Sequence, residues 1–569
     1  MLASSWGGED IAAYDAQRAL AIALADGGLG TLRFEWPDTG DSSAATGSTT
    51  VADALAAFDA AAAHAIALSG HERLAFVGLR LGALLAAHAA AARLDVDALV
   101  ALMPVASGRA FVREQTVFDA GRVSPTPGAL FDPAQLPVSL GGFALPVRHL
   151  ESLSALRWPA AATTSVLEAL LVHAPQAAVR TASDALARMG MHVREWTHAD
   201  PSGPLVTSEI VRWLRERAAD ATVLRGVPAI EDFGVADPAN ARTNAALAKA
   251  RLDAATAAVL ALARADAPVW MRLREQGVAL RERVVRIAAD ARCTARPDTV
   301  ALQDLTPDES EPALVGVLSE RDRAGDAAAR EAIVLLSSDR ERRVGPQRLW
   351  VPWARRRAAL GDLVLRLDIA GVGDSAPRTQ AAGDDASIAA DIARAVAWLR
   401  REKGVAACTV VGIGAGATHA WRAALEGLAV ERIVAVDPTR LRRPAPRSSR
   451  AARALRLLRP GEDALAVELA RGAAHRVSLN LVLSQGEPRS ARLLRESNVK
   501  IHHVEPAHPD FAGVADKSTL YACLDALLAP ARLGLVAPPI DAPASVMALR
   551  PSLADDALRA IARSSRHAA

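Results

Sequence analysis

The sequence predicts an α/β protein built from two doubly wound, mostly parallel sheets in tandem, the first lacking its front strands. Three observations carry this. Short apolar runs bounded by glycine and proline alternate with alanine-rich helical stretches, as parallel strands joined by helices do. The chain also repeats itself. Residues 32–42 align with 365–375 at an offset of 333, and 77–83 with 411–417 and 100–104 with 434–438 at an offset of 334. Three blocks in one order and almost one spacing mark two copies of one design. The third observation is the stretch 409–421, TVVGIGAGATHAW, an apolar strand that runs into glycines and emerges as a helix.

In the first copy the pattern predicts a helix over 12–26 and strands near 30–36, 74–79, 98–104, 167–172 and 192–196. A helix over 209–218 closes the unit. By the repeat alignment this copy lacks the counterparts of strands one to three, or the chain starts downstream of its true beginning. A joint follows at 219–279, broken at Pro228, Asp237 and Pro238, with a long alanine-rich helix over 240–263 that reads as a spacer or cap. The second copy opens with an edge hairpin, 281–287 and 314–318, and adds strands at 332–337, 363–368, 409–412, 432–437, 478–484 and 499–504. The domains expected are therefore 1–218, 219–279 and 280–535, with a tail at 536–569.

Composition narrows the function classes. The 569 residues carry 66 basic and 64 acidic side chains, a net charge of +2, which offers no global attraction to nucleic acid. Neither end has an apolar run long enough to span a bilayer, so a soluble cytoplasmic protein is expected. Cys293, Cys408 and Cys523 lie far apart and match no metal spacing, so neither metal nor cofactor is expected. Lysine occurs only at 249, 403, 500 and 517. The heavy use of arginine and alanine suggests a GC-rich bacterial genome.

Four groups of residues carry the resemblance to a known family: Arg-Val-Gly-Pro-Gln-Arg-Leu at 343–349, the run at 365–375, the glycine turn at 412–416, and Gly-Leu-Arg-Leu-Gly-Ala at 78–83. With these the sequence resembles the α/β-hydrolase superfamily twice over, across 10–215 and 280–530. More narrowly it is similar to the serine-aminopeptidase-like hydrolases that accompany exosortase and acyl-transfer gene systems. That resemblance implies a nucleophile elbow, G-x-S-x-G, after strand five, an acid after strand seven and a histidine after strand eight. Backbone N–H groups after strand three and after the nucleophile would form the oxyanion hole.

Carried over by position, the nucleophile seat of the second copy is Gly414, which holds no attacking atom. The acid seat falls at Glu487 and the histidine seat at His508. The oxyanion loop falls at 338–344, with Ser338, Asp339 and Ala415 as oxyanion or ligand positions. In the first copy the nucleophile seat is Arg80, which is always cationic and cannot attack a carbonyl. No carboxylate lies near Pro175 and Gln176, and His198 takes the histidine seat.

Three functions remain open. The leading one is a pseudo-hydrolase that binds an acyl-type small molecule or a protein partner, with the first copy as a docking platform. The second is a working esterase, thioesterase or acyltransferase that uses Ser337 or Ser338, or a water activated by His508 and Glu487. The third is dinucleotide binding through Gly412, Gly414 and Ala417, with Asp437 ending the next strand. His419, on the helix after the elbow, is expected to be packed or on the surface. Eight arginines between 440 and 459 place Arg450, Arg453 and Arg456 on one helical face of a lid, either solvated or clamping an anionic head group.

Overall fold

A computed structural model describes residues 1–528. Outside the description are 43–49, 121–137, 141–142, 161–167, 176–178, 225–270, 276–277, 289–311, 323–330, 339–340, 379–384, 440–476, 485–498, 507–510 and 512–513, with the single residues 72, 146, 202 and 426. The predicted helix at 240–263, the lid arginines 450, 453 and 456, and the tail at 536–569 all fall outside the described residues.

The first copy forms a six-stranded sheet from β1 (Leu2–Ala3), β2 (Arg33–Phe34), β3 (Leu74–Leu79), β4 (Val96–Leu102), β7 (Glu168–His173) and β8 (His192–Thr197). Their order is β2-β1-β3-β4-β7-β8 and every pairing is parallel. A separate antiparallel hairpin joins β5 (Val138–Leu140) to β6 (Phe143–Leu145). The second copy forms a nine-stranded sheet from β9 (Met271–Glu275), β10 (Val278–Ile287), β11 (Leu314–Arg321), β12 (Glu331–Leu336), β13 (Leu363–Asp368), β14 (Ala407–Ile413), β15 (Arg432–Val436), β16 (Ser478–Leu483) and β17 (Lys500–His503). Its order is β17-β16-β15-β14-β12-β13-β11-β10-β9. The edge strands β9, β10 and β11 run antiparallel and the rest are parallel.

Both sheets are covered on two faces. Helix α1 (Gly8–Asp26) and helix α7 (Pro204–Leu224) pack Leu20, Leu24, Ile210 and Trp213 on one face of the first sheet. Helices α2 (Val51–Ser69), α3 (Leu81–Ala91) and α6 (Arg180–Arg188) cover the other, while α4 (Gly108–Ala120) and α5 (Val147–Ala155) add Phe111 and Leu153 to that core. In the second copy α8 (Trp350–Leu360) and α11 (Val514–Leu527) cover one face, and α9 (Asp385–Lys403) and α10 (Ala415–Leu425) the other. This double cover is why the central strands read as continuous apolar runs rather than alternating ones.

The repeat survives in the registers. Leu2 pairs with Val77 and Arg33, as Leu335 pairs with Val411 and Arg366. The turns after the fourth-strand positions share backbone angles, with positive φ at Asp38 and Gly40 in one and at Gly371 and Gly373 in the other.

These registers correct two expectations. The counterpart of strand three is present in the first copy as Leu2–Ala3, so only β9, β10 and β11 of the second sheet have no match among the described residues. Two residues are too few to show a strand period. The second sheet also has nine strands rather than eight, because Met271–Glu275 pairs along β10 at the outer edge. Smaller shifts follow from tertiary contacts: the first helix starts at Gly8, the closing helix at Pro204, and the strand expected near 30–36 shortens to Arg33–Phe34.

The two copies meet through their equivalent turns. Arg33 of the first pairs with Asp374 of the second at 3.1 Å, and Arg366 of the second pairs with Asp41 of the first. Arginines 33 and 366, like aspartates 41 and 374, are repeat mates, so the contact is reciprocal, as at a two-fold interface. Around this pair the charges sort unequally. Arg342, Arg343, Arg348 and Arg355 of the second copy engage Glu35, Asp41, Asp38 and the Asp41 carbonyl of the first. Tyr14 lies between the guanidinium groups of Arg33 and Arg342, 4.6 and 4.1 Å from its ring centre, and donates to Asp374 at 2.5 Å. Burial pushes the Asp41 carboxyl up, but Arg343, Arg366 and Arg342 outweigh it and hold it well below the usual carboxylate range.

Candidate functional site

Each copy bends sharply where its central strand enters a helix. Gly412 and Gly416 flank the second bend, and a Cβ on either would run into backbone: Gly416 and Ala417 in the first case, Ser337 and Leu336 in the second. Gly78 and Gly82 meet the same limit in the first copy, against Ala83 and Ser4. The residue between each pair sits at positive φ, 58° at Gly414 and 54° at Arg80. Its N–H donates to the end of the next strand at 2.9 Å in both, to Val436 and to Leu102. Both bends therefore share one backbone geometry, with Gly414 and Arg80 at the equivalent position.

The seat at Gly414 is closed. A Cβ there would lie 2.7 Å from the Ser338 hydroxyl and 3.8 Å from the Thr439 methyl. Thr418 donates to the Gly414 carbonyl at 3.3 Å and shares a 3.3 Å hydroxyl contact with Thr439. Beside the seat lies a void of about 10 Å³, bordered by Ser337, Glu341 and His419, with room for about one water. The Ser337 hydroxyl is buried and has no hydrogen-bond partner among the described residues.

The expected oxyanion loop is tied into the interface. Arg342 and Arg343 are buried and reach across to Glu35 and Asp41, while the Arg343 N–H donates to Asp368 at 2.5 Å. Ala415 and Ala417 are buried at the start of α10. Asp437, the carboxylate a dinucleotide would use, accepts from both the N–H and the hydroxyl of Ser484. His508, Glu487 and Asp339 lie outside the described residues.

The seat at Arg80 is open. Its guanidinium pairs with Glu9 at 3.2 Å and with Glu114. Ser5, the repeat mate of Ser338, donates to Glu9 at 2.6 Å, and Gln115 donates to the same carboxylate at 2.8 Å. Burial alone would lower the Arg80 pKa; Glu9 and Glu114 reverse that and raise it. Above the seat is a cavity of about 360 Å³ between α1 and α7, walled by Ala12, Ala13, Ala16, Leu20, Met103 and Ile210. His198, the expected histidine seat, is not among its lining residues; its Nδ1 contacts the Asp200 carbonyl at 2.8 Å.

In the second copy, two helix positions equivalent by offset to those lining this cavity carry bulkier side chains. At the 333-residue offset Gln17 falls on Trp350 and Leu20 on Trp353, both tryptophans fully buried under α11 with Leu520 and Leu524. Sequence reasoning missed this cavity, although the small residues at 12, 13 and 16 opposite a tryptophan-rich mate were a readable signal. It also missed the interface arginines.

The strand order of the second sheet, with β11 antiparallel to its neighbours and the glycine bend following the central strand β14, is that of an α/β-hydrolase fold. No family model and no curated protein matches the sequence. Among solved structures, the chain is similar to the Pyrococcus furiosus esterase Pf2001, with 16% identity and a TM-score of 0.29, covering 43% of this chain and 92% of that one. It is also similar to the mouse alpha/beta hydrolase domain-containing protein 10, with 12% identity and a TM-score of 0.26, covering 39% and 96%. A third likeness is to an alpha/beta hydrolase from Sphaerobacter thermophilus, with 15% identity and a TM-score of 0.26, covering 38% and 97%. Among the described residues no helix is long and apolar enough to cross a membrane.

Proposed function

We propose that this chain is an impaired, non-catalytic hydrolase-fold protein that holds an acyl-type ligand or a protein partner instead of turning a substrate over. One observation carries the reading: the residue at the second elbow is Gly414, which has no side chain to attack with, and a Cβ added there would lie 2.7 Å from the Ser338 hydroxyl. The first elbow supports it, since a guanidinium held between two carboxylates neither attacks a carbonyl nor accepts its proton. The anchoring of Arg342 and Arg343 in the interface gives the oxyanion loop a structural task.

A fluorophosphonate probe is expected to leave the protein unlabelled. Gly414→Ser is expected to show no p-nitrophenyl ester hydrolysis above the parent, because a Cβ at this positive-φ position presses on the Ser338 hydroxyl at 2.7 Å. The same proximity favours a second reading, in which Ser338 itself stands in for the nucleophile of an esterase, thioesterase or acyltransferase, with His508 and Glu487 as base and acid. Stoichiometric labelling mapped to the peptide containing Ser338 would establish that reading and end the first.

A further inference from the structure

We propose that the cavity beside Arg80 is a binding site for a neutral carbonyl compound with an apolar tail, such as a medium-chain amide, ester or lactone. This deepens the binding reading above and rests on it only in that the ligand is kept rather than cleaved. About 360 Å³ is within the range of small-molecule sites, and the walls are mostly alanine, leucine, methionine, valine and isoleucine side chains. The internal repeat sharpens the contrast: at the 333-residue offset the lining residues Gln17 and Leu20 correspond to Trp350 and Trp353, both fully buried in the second copy.

Two hydrogen-bond donors decide the head group. Gln17 lines the cavity and its Nε2 is shielded from solvent with no hydrogen-bond partner among the described residues, and a shielded donor left unpaired is costly. Arg80 lines it too, and spends Nε and Nη2 on Glu9 and Glu114, leaving Nη1 outside those pairs. A carbonyl oxygen satisfies such donors. A carboxylate fits less well, because Glu9 and Glu114 already share the one guanidinium, and a third negative charge would face two carboxylates.

The test uses the full chain, with octanamide and octanoate as probes in calorimetric titrations. Octanamide is expected to bind at one site and octanoate about tenfold more weakly or worse. Gln17→Leu is expected to weaken octanamide by about three- to tenfold through the lost donor. Gln17→Trp, which installs the second copy's residue, is expected to abolish binding; Ala13→Phe fills the space from another position if that variant does not fold. Octanoate binding more tightly than octanamide, no octanamide binding to the parent, or undiminished binding by both filled variants would each overturn the proposal. Release of octanoate from octanamide by the parent but not by Gln17→Trp would uphold the site and overturn the non-catalytic reading instead.

Discussion

The two elbows share a backbone and differ in everything above it. At Gly414 the seat is sealed by Ser338, and the neighbouring helices close over Trp350 and Trp353. At Arg80 the same bend carries a long cation, and the helices above it leave about 360 Å³ empty. The flanking glycines are kept in both because a Cβ there meets backbone, which cannot yield. The middle residue and the helix faces meet side chains, which can change together. The difference teaches that a bend's backbone can be held constant while the residues above it change, since its glycines serve packing.

Four tests sharpen or break this comparison. The largest effect is expected at the interface: Asp41→Ala leaves Arg343 and Arg366 buried without their shared carboxylate and should cost about 3–5 kcal/mol in urea unfolding. Its repeat mate Asp374, 30% exposed, should cost only about 1–2 kcal/mol as Ala. Equal losses would show the contact to be symmetric in energy as well as in geometry.

Trp350→Ala should cost about 3–5 kcal/mol by emptying packed space, whereas Gln17→Ala beside an existing cavity should stay within about 0.5 kcal/mol. Comparable losses would mean that the first-copy space is filled in solution. The third effect depends on pH. Burial, partly offset by Arg342, pushes Asp10 up to about 6, and its repeat mate is Arg343, which does not titrate in this range. A carboxyl raised by folding binds more protons folded than unfolded, so its contribution to stability falls as pH rises from about 4 through 6. Relative to Asp10→Asn, the parent should therefore lose up to about 3 kcal/mol between pH 4 and 7; a flat difference would place Asp10 in a solvated setting.

The smallest effect concerns strain. Arg80 holds φ 54° and ψ −117°, a conformation open to glycine, so Arg80→Gly should be about 1 kcal/mol more stable than Arg80→Ala. Reversal of that order would remove the strained bend from the comparison.

Much of the architecture was legible before any coordinates. The repeat blocks fixed which strands are equivalent, and apolar runs between glycines located the central strands within a few residues. What escaped had physical reasons. Leu2–Ala3 is too short for any period, and Met271–Glu275 lies in a stretch whose composition reads as a joint. Arg348 and Arg355 carry no signal as cations on a polar turn and a helix; the facing Asp38 and Glu282 and the carbonyls of residues 40 to 42 explain their burial. The missing side chain at Gly414 was plain from the sequence, which also singled out Ser337 and Ser338 as the nearby hydroxyls; that Ser338, 76 positions away in the chain, is the one that faces Gly414 depends on the fold.

The reciprocal arginine–aspartate contact has one more consequence. Two separate molecules joined through such a surface would come apart on dilution, and their docked fraction would follow their abundance. Covalent linkage replaces abundance with an effective local concentration set by the connecting chain. The charged seam is thereby formed once per molecule, whether the cell makes many copies or few.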